Sequence, residues 1–581
     1  MDSCRVSLDE PLARQRAGGF SAWKASMILI TALLAVPLAV IVASVFWPDK
    51  STWSHLADTV LADYVVNSAS LAIGVGLGTF VLGTGTAWLL SVCEFPGRRV
   101  FEWALLLPLA MPAYIIAYTY TGLLDAAGPV QSTLRAVTGW SLGDYPFPEI
   151  RSLGGAIVML TLVLYPYVYM LSRAAFLEQS ASALNVARSL GLSPWPMFRR
   201  VALPLARPSI VAGLSLAIME TLADYGTVKY FGIPTLTTGI FRTWFGLNDV
   251  LAAAQLSALL LTLVFTVIVV ERLSRRQARY HHHGQWQARP SFPLHGGKAA
   301  LAFLACALPL VLGFVVPSLQ LLAWSIEITP RSDLLEFAAL IGRSLGLAGA
   351  TALLALLLAV FLAYGHRLMP GRLIATVTRI AGMGYAVPGT VIAVGVIIPF
   401  AAFDNTLDAF LRTQFGVSSG LLLSGTLAAL IFAYLVRFLA VSLNTVEAGL
   451  GRIRPSMDEA AWSMGAPAGQ TLWRVHIPLI RGSLLTAALL VFVDVLKELP
   501  ATLVLRPFDF NTLAVRAFEL ASDERLREAA LPALAIVATG LIPVVLVSRS
   551  ITRARGHECT TARGESADEH PAATGELRRG G

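Results

Sequence analysis

Long stretches without a charged residue dominate this sequence. Ten segments of 20 residues or more contain no Asp, Glu, Lys or Arg and are rich in Leu, Ala, Val and Ile: 25–48, 64–93, 103–124, 152–172, 250–270, 299–326, 344–366, 380–403, 413–436 and 529–548. About 20 apolar residues allow a helix to cross a bilayer. One such segment could be a buried core helix, but ten predict an integral membrane protein. The charged share of 14% also excludes an ordinary soluble enzyme.

Two further apolar segments are shorter. Residues 208–219 and 482–493 each lie between an arginine and an acidic residue, and each continues apolar beyond the acidic residue. Counted as spans five and eleven, they complete an all-α integral membrane protein with twelve transmembrane helices. Because twelve is even, both termini are expected on the same side of the membrane.

The distribution of charge predicts which side that is. The two tails and the five loops on their side hold 31 of the 44 Lys and Arg residues and 15 of the 36 Asp and Glu residues, a net charge of +16. The opposite side holds 13 basic and 21 acidic residues, a net charge of −8. Since Lys and Arg are retained in the cytoplasm, both termini are expected there, and the basic total reflects topology rather than nucleic-acid binding. The first apolar segment is long enough to remain as a span instead of a cleaved signal peptide.

The chain repeats itself with a constant spacing of 274 residues. Gly191 matches Gly465, Pro204 matches Pro478, and the acidic pair near residue 220 matches the pair near residue 494. Each half therefore carries six spans in the same order, which predicts a parallel repeat about an axis along the membrane normal. The expected divisions are a tail at 1–24, a first half at 25–272, a linker at 273–298, a second half at 299–549 and a disordered tail at 550–581. The run His281-His282-His283 in the linker is expected to be solvated rather than metal-binding.

A spaced motif occurs once in each half, between spans four and five. In the second half it is Glu459-Ala460-Ala461, then Gly465 and Pro478. In the first half the same spacing joins the following residues: Asn185, Ala187, Gly191 and Pro204. Small residues and Gly let a short helix sit closely against another protein, and Gly suits the turn after that helix. Each Pro is expected at the start of the next span, where a missing N–H costs least.

This motif resembles the EAA loop of ABC importer permeases, and the two segments are called the first and second EAA-like loops below. With residues 222–232 and 497–507, the chain is most similar to the fused, two-half permeases of ferric-iron importers. The resemblance implies the type I ABC importer permease fold, a multi-pass location in the bacterial inner membrane, and surrounding lipid. It also implies two ABC ATPase subunits bound at the two loops, and a periplasmic or surface binding protein that delivers ferric iron. Similar fused permeases for thiamine, phosphonate or polyamine remain alternatives.

The chain lacks the motifs of an ATPase or of another enzyme. It contains no GxxxxGK[ST] phosphate loop, no HExxH and no nucleophile elbow, and its four Cys residues form no CxxC pair. It is therefore expected to bind no cofactor and to use ATP only through partner subunits. A proton-driven secondary transporter is the competing class, but it would be expected to carry ionisable residues within several spans.

Two acidic pairs follow the EAA-like loops. Glu220 and Asp224 in the first half, and Asp494 and Glu498 in the second, are four residues apart and so share a helix face. We expect them along the translocation path near its outer mouth, where carboxylates would attract a cation, without forming a fixed metal site. The alternative is that they face water at helix ends or pair with Lys229 and Lys497.

Overall fold

The structure is a computed structural model that describes residues 10–47, 51–178, 186–187, 189–276, 292–327 and 334–543. Eleven helices in these ranges are long and apolar enough to cross a membrane. A twelfth crossing is a pair of helical segments, Arg98–Ala110 and Ala113–Thr138, bent by 91°. With this bent pair counted as one crossing, the twelve spans expected from the charge-free segments are confirmed. The His281–His283 run and the tail at 550–581 lie outside the described residues.

The helices of the first half follow the charge-free segments, with two short helices after the fifth span. They are α1 Glu10–Ser44, α2 Ser51–Thr59, α3 Leu61–Val92, α4 Arg98–Ala104, α5 Ala113–Leu124, α6 Pro129–Thr138, α7 Leu153–Glu178, α8 Pro194–Met197, α9 Leu203–Ala223, α10 Gly226–Tyr230, α11 Leu236–Phe241 and α12 Val250–Arg276. Since α1 begins at Glu10, the described part of the expected N-terminal tail is helical.

The second half repeats this order. Its helices are α13 Gly297–Leu310, α14 Val316–Glu327, α15 Leu334–Leu368, α16 Arg372–Ala381, α17 Gly389–Phe415, α18 Leu427–Gly451, α19 Pro455–Ser463, α20 Ala468–Thr471, α21 Ile477–Leu496, α22 Pro500–Leu505, α23 Leu513–Ser522 and α24 Leu526–Pro543. Two short strands, β1 Cys93–Glu94 and β2 Phe292–Pro293, pair in parallel.

Spans five and eleven are long helices, although their charge-free segments are short. They run over Pro194–Ala223 and Ala468–Leu496, 30 and 29 residues. The charge-free segments are short because arginines occupy the first turns of these helices and acids occupy the last. Pro204 and Pro478 lie in the first turns of α9 and α21, as expected, although the continuous spans begin earlier, at Pro194 and Ala468. Both prolines lie just after π-turns at Phe198–Ala202 and Leu472–His476. Proline has no backbone N–H to donate, and the π-turn allows the helix to continue without that hydrogen bond.

The outermost spans of the first half pack into the second half. Leu34 and Ile41 of α1 and Leu260 of α12 belong to one buried cluster with Ala355 and Leu443 of the second half. The contact between α1 and α17 is close, because a Cβ on Gly395 would lie 2.5 Å from the carbonyl oxygen of Pro37. A bulkier residue than Gly would therefore separate these two helices.

Helices of the second half likewise pack into the first half. Trp324 of α14 and Ala533 of α24 are buried in a cluster with Tyr118 and Leu160 of the first half. Each core is thus built from both halves, so the repeat visible in the sequence does not correspond to two separate packing units. The fifth spans of the two halves, α9 and α21, both end at one cavity.

Candidate functional site

A cavity of about 130 Å³ lies between the two halves, where α9 and α21 end. We call it the chamber. The four acidic residues predicted from the repeat all line it: Glu220, Asp224, Asp494 and Glu498. The helices end at Ala223 and Leu496, just before Gly226 and Pro500, as the sequence indicates. The structure thus brings both acidic pairs to one place, one pair from each half.

Asp224 caps the short helix α10. Its Oδ2 accepts hydrogen bonds from the backbone N–H groups of Thr227 (3.0 Å) and Val228 (3.2 Å), and its Oδ1 accepts one from the hydroxyl of Thr227 (3.1 Å). These are N–H groups that a helix start leaves without an intrahelical partner. Asp224 therefore has a structural role at the wall of the chamber.

Glu498 plays the same part for α22 in the second half. Its carboxylate accepts hydrogen bonds from the N–H groups of Ala501 (3.0 Å) and Thr502 (3.1 Å) and from the Thr502 hydroxyl (2.7 Å). It also lies 3.2 Å from a guanidinium nitrogen of Arg437, which is buried. The charge pattern of the sequence assigned Arg437 to the side of the termini. The structure places it in α18, lining the chamber, and the matching residue of the first half is Val163.

The other two acids differ from each other. Asp494 is paired with Lys497, whose Nζ lies 2.9 Å from its Oδ1. No hydrogen bond or ion pair is found for Glu220 among the described residues, and the residue that matches Lys497 in the first half is Ala223. Of the pairings considered in the sequence, Lys497 forms one, whereas Lys229 forms no ion pair with any described residue.

Three tyrosines complete the polar lining and were not found by sequence reasoning. Tyr167 of α7 and Tyr385 from the second half line the chamber together with Glu220 and Asp494. Tyr114 of α5 also lines the chamber, and its hydroxyl is buried with no hydrogen-bond partner among the described residues. The repeat gives no signal for Tyr167, because Val441 stands at its matched position. No three His, Cys, Asp or Glu side chains converge on a metal position in the described part of the chain.

The second EAA-like loop is a helix, a turn and a second helix. Glu459 and Ala460 are exposed on α19, and Ala461 is buried against the bundle. Gly465 has φ of +79°, the left-handed conformation that Gly adopts without strain, and α20 then begins the eleventh span. Pro478 is exposed. The large apolar side chains of Met464 and Trp473 are also exposed, 82% and 67%.

A buried ionic cluster supports this loop from inside. The guanidinium of Arg367 donates to Asp458 Oδ2 from Nε (3.0 Å) and from a terminal nitrogen (2.6 Å), and to the carbonyl oxygens of Leu450 (2.6 Å) and Ile453 (3.0 Å). The second oxygen of Asp458 lies 2.7 Å from Nε2 of His476, whose ring is fully buried. We call these three residues the Arg367–Asp458–His476 cluster.

The first EAA-like loop has the same turn and a different interior. Gly191 has φ of +78°, Ala187 is buried, Leu190 and Trp195 are exposed, and Pro204 is exposed. Asn185 lies outside the described residues.

Apolar residues replace the cluster under this first loop. The positions that match Arg367 and His476 are Cys93 and Ala202, both buried. Burial raises the pKa of the Cys93 thiol above its usual value, against a smaller effect of Arg98, so the thiol is neutral near pH 7. Leu184, which matches Asp458, lies outside the described residues.

Twelve spans in two equivalent halves, with a polar chamber between them, define a membrane permease. The family model described as "Binding-protein-dependent transport system inner membrane component" matches residues 81–279 and again 355–554. The chain belongs to this family and contains its unit twice.

Two relatives that match both halves are named as ferric transport permeases. The "Fe(3+)-transport system permease protein FbpB 2" of Haemophilus influenzae is 27% identical over 84% of this chain and 90% of its own length. The "Putative ferric transport system permease protein FbpB 1" of the same organism is 22% identical over 86% of this chain and 80% of its own. The "Putative 2-aminoethylphosphonate transport system permease protein PhnU" of Salmonella choleraesuis is 25% identical over only 35% of this chain and 77% of its own.

Proposed function

We propose that this chain is the membrane-spanning subunit of an ATP-driven importer, and that it moves ferric iron delivered by a binding protein. The observation that carries the proposal is the chamber, to which each half contributes two carboxylates. Ferric iron is a hard cation that prefers oxygen ligands. Relatives with the same two-half organisation are named as ferric permeases, which supports the same substrate here.

The two EAA-like loops are the docking sites for two ATPase subunits. Each presents exposed apolar side chains beside its turn, Leu190 and Trp195 in the first loop, Met464 and Trp473 in the second. Exposed aromatic and long aliphatic side chains are typical anchors of protein interfaces. The ATPases supply the energy, both loops and both termini face the cytoplasm, and ATP-driven movement of the loops reaches the chamber along α9 and α21.

Transport follows alternating access around the chamber. The helices α9 and α21 join the EAA-like loops to the chamber walls, so a rigid displacement at either loop changes the separation of the two acidic pairs. Of the alternative substrates, thiamine and polyamine are cationic and compatible with these acids. A phosphonate is less suitable, because four carboxylates outnumber the two cations, Arg437 and Lys497, that line the chamber.

The decisive experiment compares substrates in a strain that lacks the chain. Loss of growth on ferric iron, restored by the intact chain, is expected, whereas growth limited by thiamine, polyamine or aminoethylphosphonate should be unaffected. A defect confined to one of those three compounds would contradict the ferric assignment and leave the family unchanged.

Reporter fusions after residues 140 and 285 should report outside and inside, respectively, and opposite signals would reverse the topology.

The docking proposal has its own test. Gly465→Glu places a charge and a long side chain at the turn of the second loop, and it should abolish transport while the protein still inserts. Gly416→Glu is the matched control, because Gly416 is also left-handed, with φ of +68°, a Cβ there also meets no atom within 4 Å, and it ends α17, outside both loops. Normal transport by Gly465→Glu, or ATP hydrolysis by the purified chain alone, would contradict the assignment.

A further inference from the structure

Two of the four acids of the chamber cap short helices, and the other two face the cavity. The carboxylates of Asp224 and Glu498 are occupied by the N–H groups of α10 and α22. Asp494 is neutralised by Lys497 at 2.9 Å. Among the four acids of the chamber, Glu220 is the one for which no hydrogen bond or ion pair with a described residue is found, although it is half-buried. A carboxylate in such a place costs desolvation free energy unless another group offsets it.

The phenols of Tyr167 and Tyr385, one from each half, line the same cavity of about 130 Å³ as that carboxylate. The hydroxyl of Tyr114, which lines the same cavity, is 95% buried by residue exposure and has no hydrogen-bond partner in the described part of the chain. An unpartnered buried hydroxyl is costly, and at a cavity wall it is a polar group that a passing ion can bind.

We propose that Glu220, Tyr167 and Tyr385 form a transient oxygen-donor site for the cargo, a hard trivalent cation, with Tyr114 at its edge. The inference rests on the proposed ferric function and deepens it by naming the residues that touch the ion. Each phenol that binds the ion does so as phenolate and releases its proton to water, as ligands of metal ions generally must. Because Tyr167 and Tyr385 belong to opposite halves, the site is complete only while the halves stay together at the chamber.

Lys497 keeps this site weak. Its ammonium pairs with Asp494, which would otherwise be a second free carboxylate lining the same cavity as Glu220. A pathway must bind its ion well enough to admit it and weakly enough to release it. A trivalent ion held by two carboxylates and two phenolates would leave slowly, so the positive charge of Lys497 favours passage over storage.

The site has a spectroscopic signature, because ferric iron bound to phenolate absorbs visible light. The purified full-length chain in detergent is titrated with ferric nitrilotriacetate, and a visible charge-transfer band is expected. Tyr167→Phe combined with Tyr385→Phe should remove the band. Glu220→Gln should weaken apparent affinity at least about tenfold. Lys497→Met should raise the affinity and slow iron uptake, a combination that simple misfolding does not produce.

Matched controls separate the site from general damage. Tyr145→Phe removes a hydroxyl that contacts Gln131 and Arg135 outside the chamber. Glu327→Gln neutralises an exposed acid. Both should leave the band and the affinity unchanged, and Glu220→Asp should retain more affinity than Glu220→Gln. No band in the intact chain, or a band that survives the double tyrosine substitution, would overturn the site.

The substrate test distinguishes this failure from failure of the function. If the intact chain restores growth on ferric iron but Glu220→Gln transports at the normal rate, the importer assignment stands and the site is wrong. If the intact chain restores no growth on iron, the ferric function itself is wrong, whatever the spectra show.

Discussion

The first EAA-like loop turns at Gly191 with φ of +78°, the second turns at Gly465 with φ of +79°, and a five-residue π-turn follows each. Their interiors differ. The second loop rests on the Arg367–Asp458–His476 cluster, and at two of the three matched positions the first has the buried residues Cys93 and Ala202. The backbone path of the loop is therefore set by Gly and by the π-turn, and it tolerates either an ionic or an apolar interior.

The comparison also bears on what each interior contributes. An ion pair in a poorly solvated site adds little net stability over apolar residues of similar volume, but breaking it by removing one partner is costly. Arg367 also satisfies the carbonyl oxygens of Leu450 and Ile453 at the end of α18, which an apolar residue cannot do. The cluster thus fixes the position of α19 relative to α18 and α21, and we expect the second loop to be the more rigidly held.

The largest effect is expected from removing the centre of the cluster. Asp458→Ala leaves Arg367 without its counter-ion and should lower the free energy of unfolding by about 3–5 kcal/mol. The loss should appear as a lower melting temperature of the purified chain. Asp458→Asn keeps the shape and should cost less.

A transplant sharpens that result. The triple substitution Arg367→Cys, Asp458→Leu and His476→Ala gives the second loop the residues of the first, and it should be more stable than Asp458→Ala alone. If the triple variant is the less stable of the two, the two interiors are not interchangeable solutions, and the backbone depends on the cluster.

The reverse change is expected to cost somewhat less. Cys93→Arg places the guanidinium of the second half into the first loop without Asp458 or His476 equivalents, and it should lower the unfolding free energy by about 2–3 kcal/mol. The cost is smaller than for Asp458→Ala because a long Arg side chain can extend its charge toward water. Cys93→Ser, which is nearly the same size and uncharged, is the control. Equal melting temperatures for Cys93→Arg and Cys93→Ser would show that the interior of the first loop accepts a charged side chain as well as an uncharged one.

The turns themselves should respond alike in the two halves. Gly191→Ala and Gly465→Ala force an L side chain into the left-handed region, at a cost of about 1–2 kcal/mol each. A Cβ at either position meets no atom within 4 Å, so the cost is purely conformational. Gly469→Ala, which lies in α20, should be neutral or slightly stabilising. A much larger cost at Gly465 than at Gly191 would indicate that the cluster amplifies distortion of the second loop.

The spans and the repeat could be predicted because the bilayer imposes them. The thickness of the hydrocarbon core sets the length of each apolar segment, and almost every apolar segment of the sequence corresponds to one spanning helix of the structure. The third crossing differs, because the chain is extended at Pro112, with ψ of 142°, and the two helical segments meet there at 91°. Pro388, which aligns with Pro112 after a two-residue shift of the repeat, has the same backbone conformation, but α17 continues for 27 residues after it. Local sequence around the two prolines does not reveal this difference.

The polar partners of the site could not be predicted, because tertiary packing assembles them. Arg437 belongs to a span by position and to the basic side by charge counting, and only the packing of α18 against α21 brings it to Glu498. Arg367 of α15 lies 91 residues before Asp458 in the chain, and only packing brings it to the second EAA-like loop. What the repeat did identify were positions with a counterpart in the other half, such as the acidic pairs. Tyr167 and Lys497, whose counterparts are Val441 and Ala223, gave no such signal.

The smallest effect is expected at the prolines, and it should be equal in the two halves. Pro204→Ala and Pro478→Ala restore a backbone N–H just after each π-turn, where the preceding helix already continues from Pro194 or Ala468. The new N–H can bond to a carbonyl of the preceding turn, which favours a regular α-helix, but tightening the π-turn would rotate α8 or α20 relative to the bundle. These effects oppose each other, so the change in unfolding free energy should stay within about 1 kcal/mol.

Because both prolines are exposed and neither belongs to the Arg367–Asp458–His476 cluster, the two variants should have melting temperatures within experimental error of each other. A loss of stability confined to Pro478→Ala would mean that the cluster, and not the proline, holds the π-turn of the second half, which contains His476. The two loops would then differ in what fixes their backbone as well as in their interior.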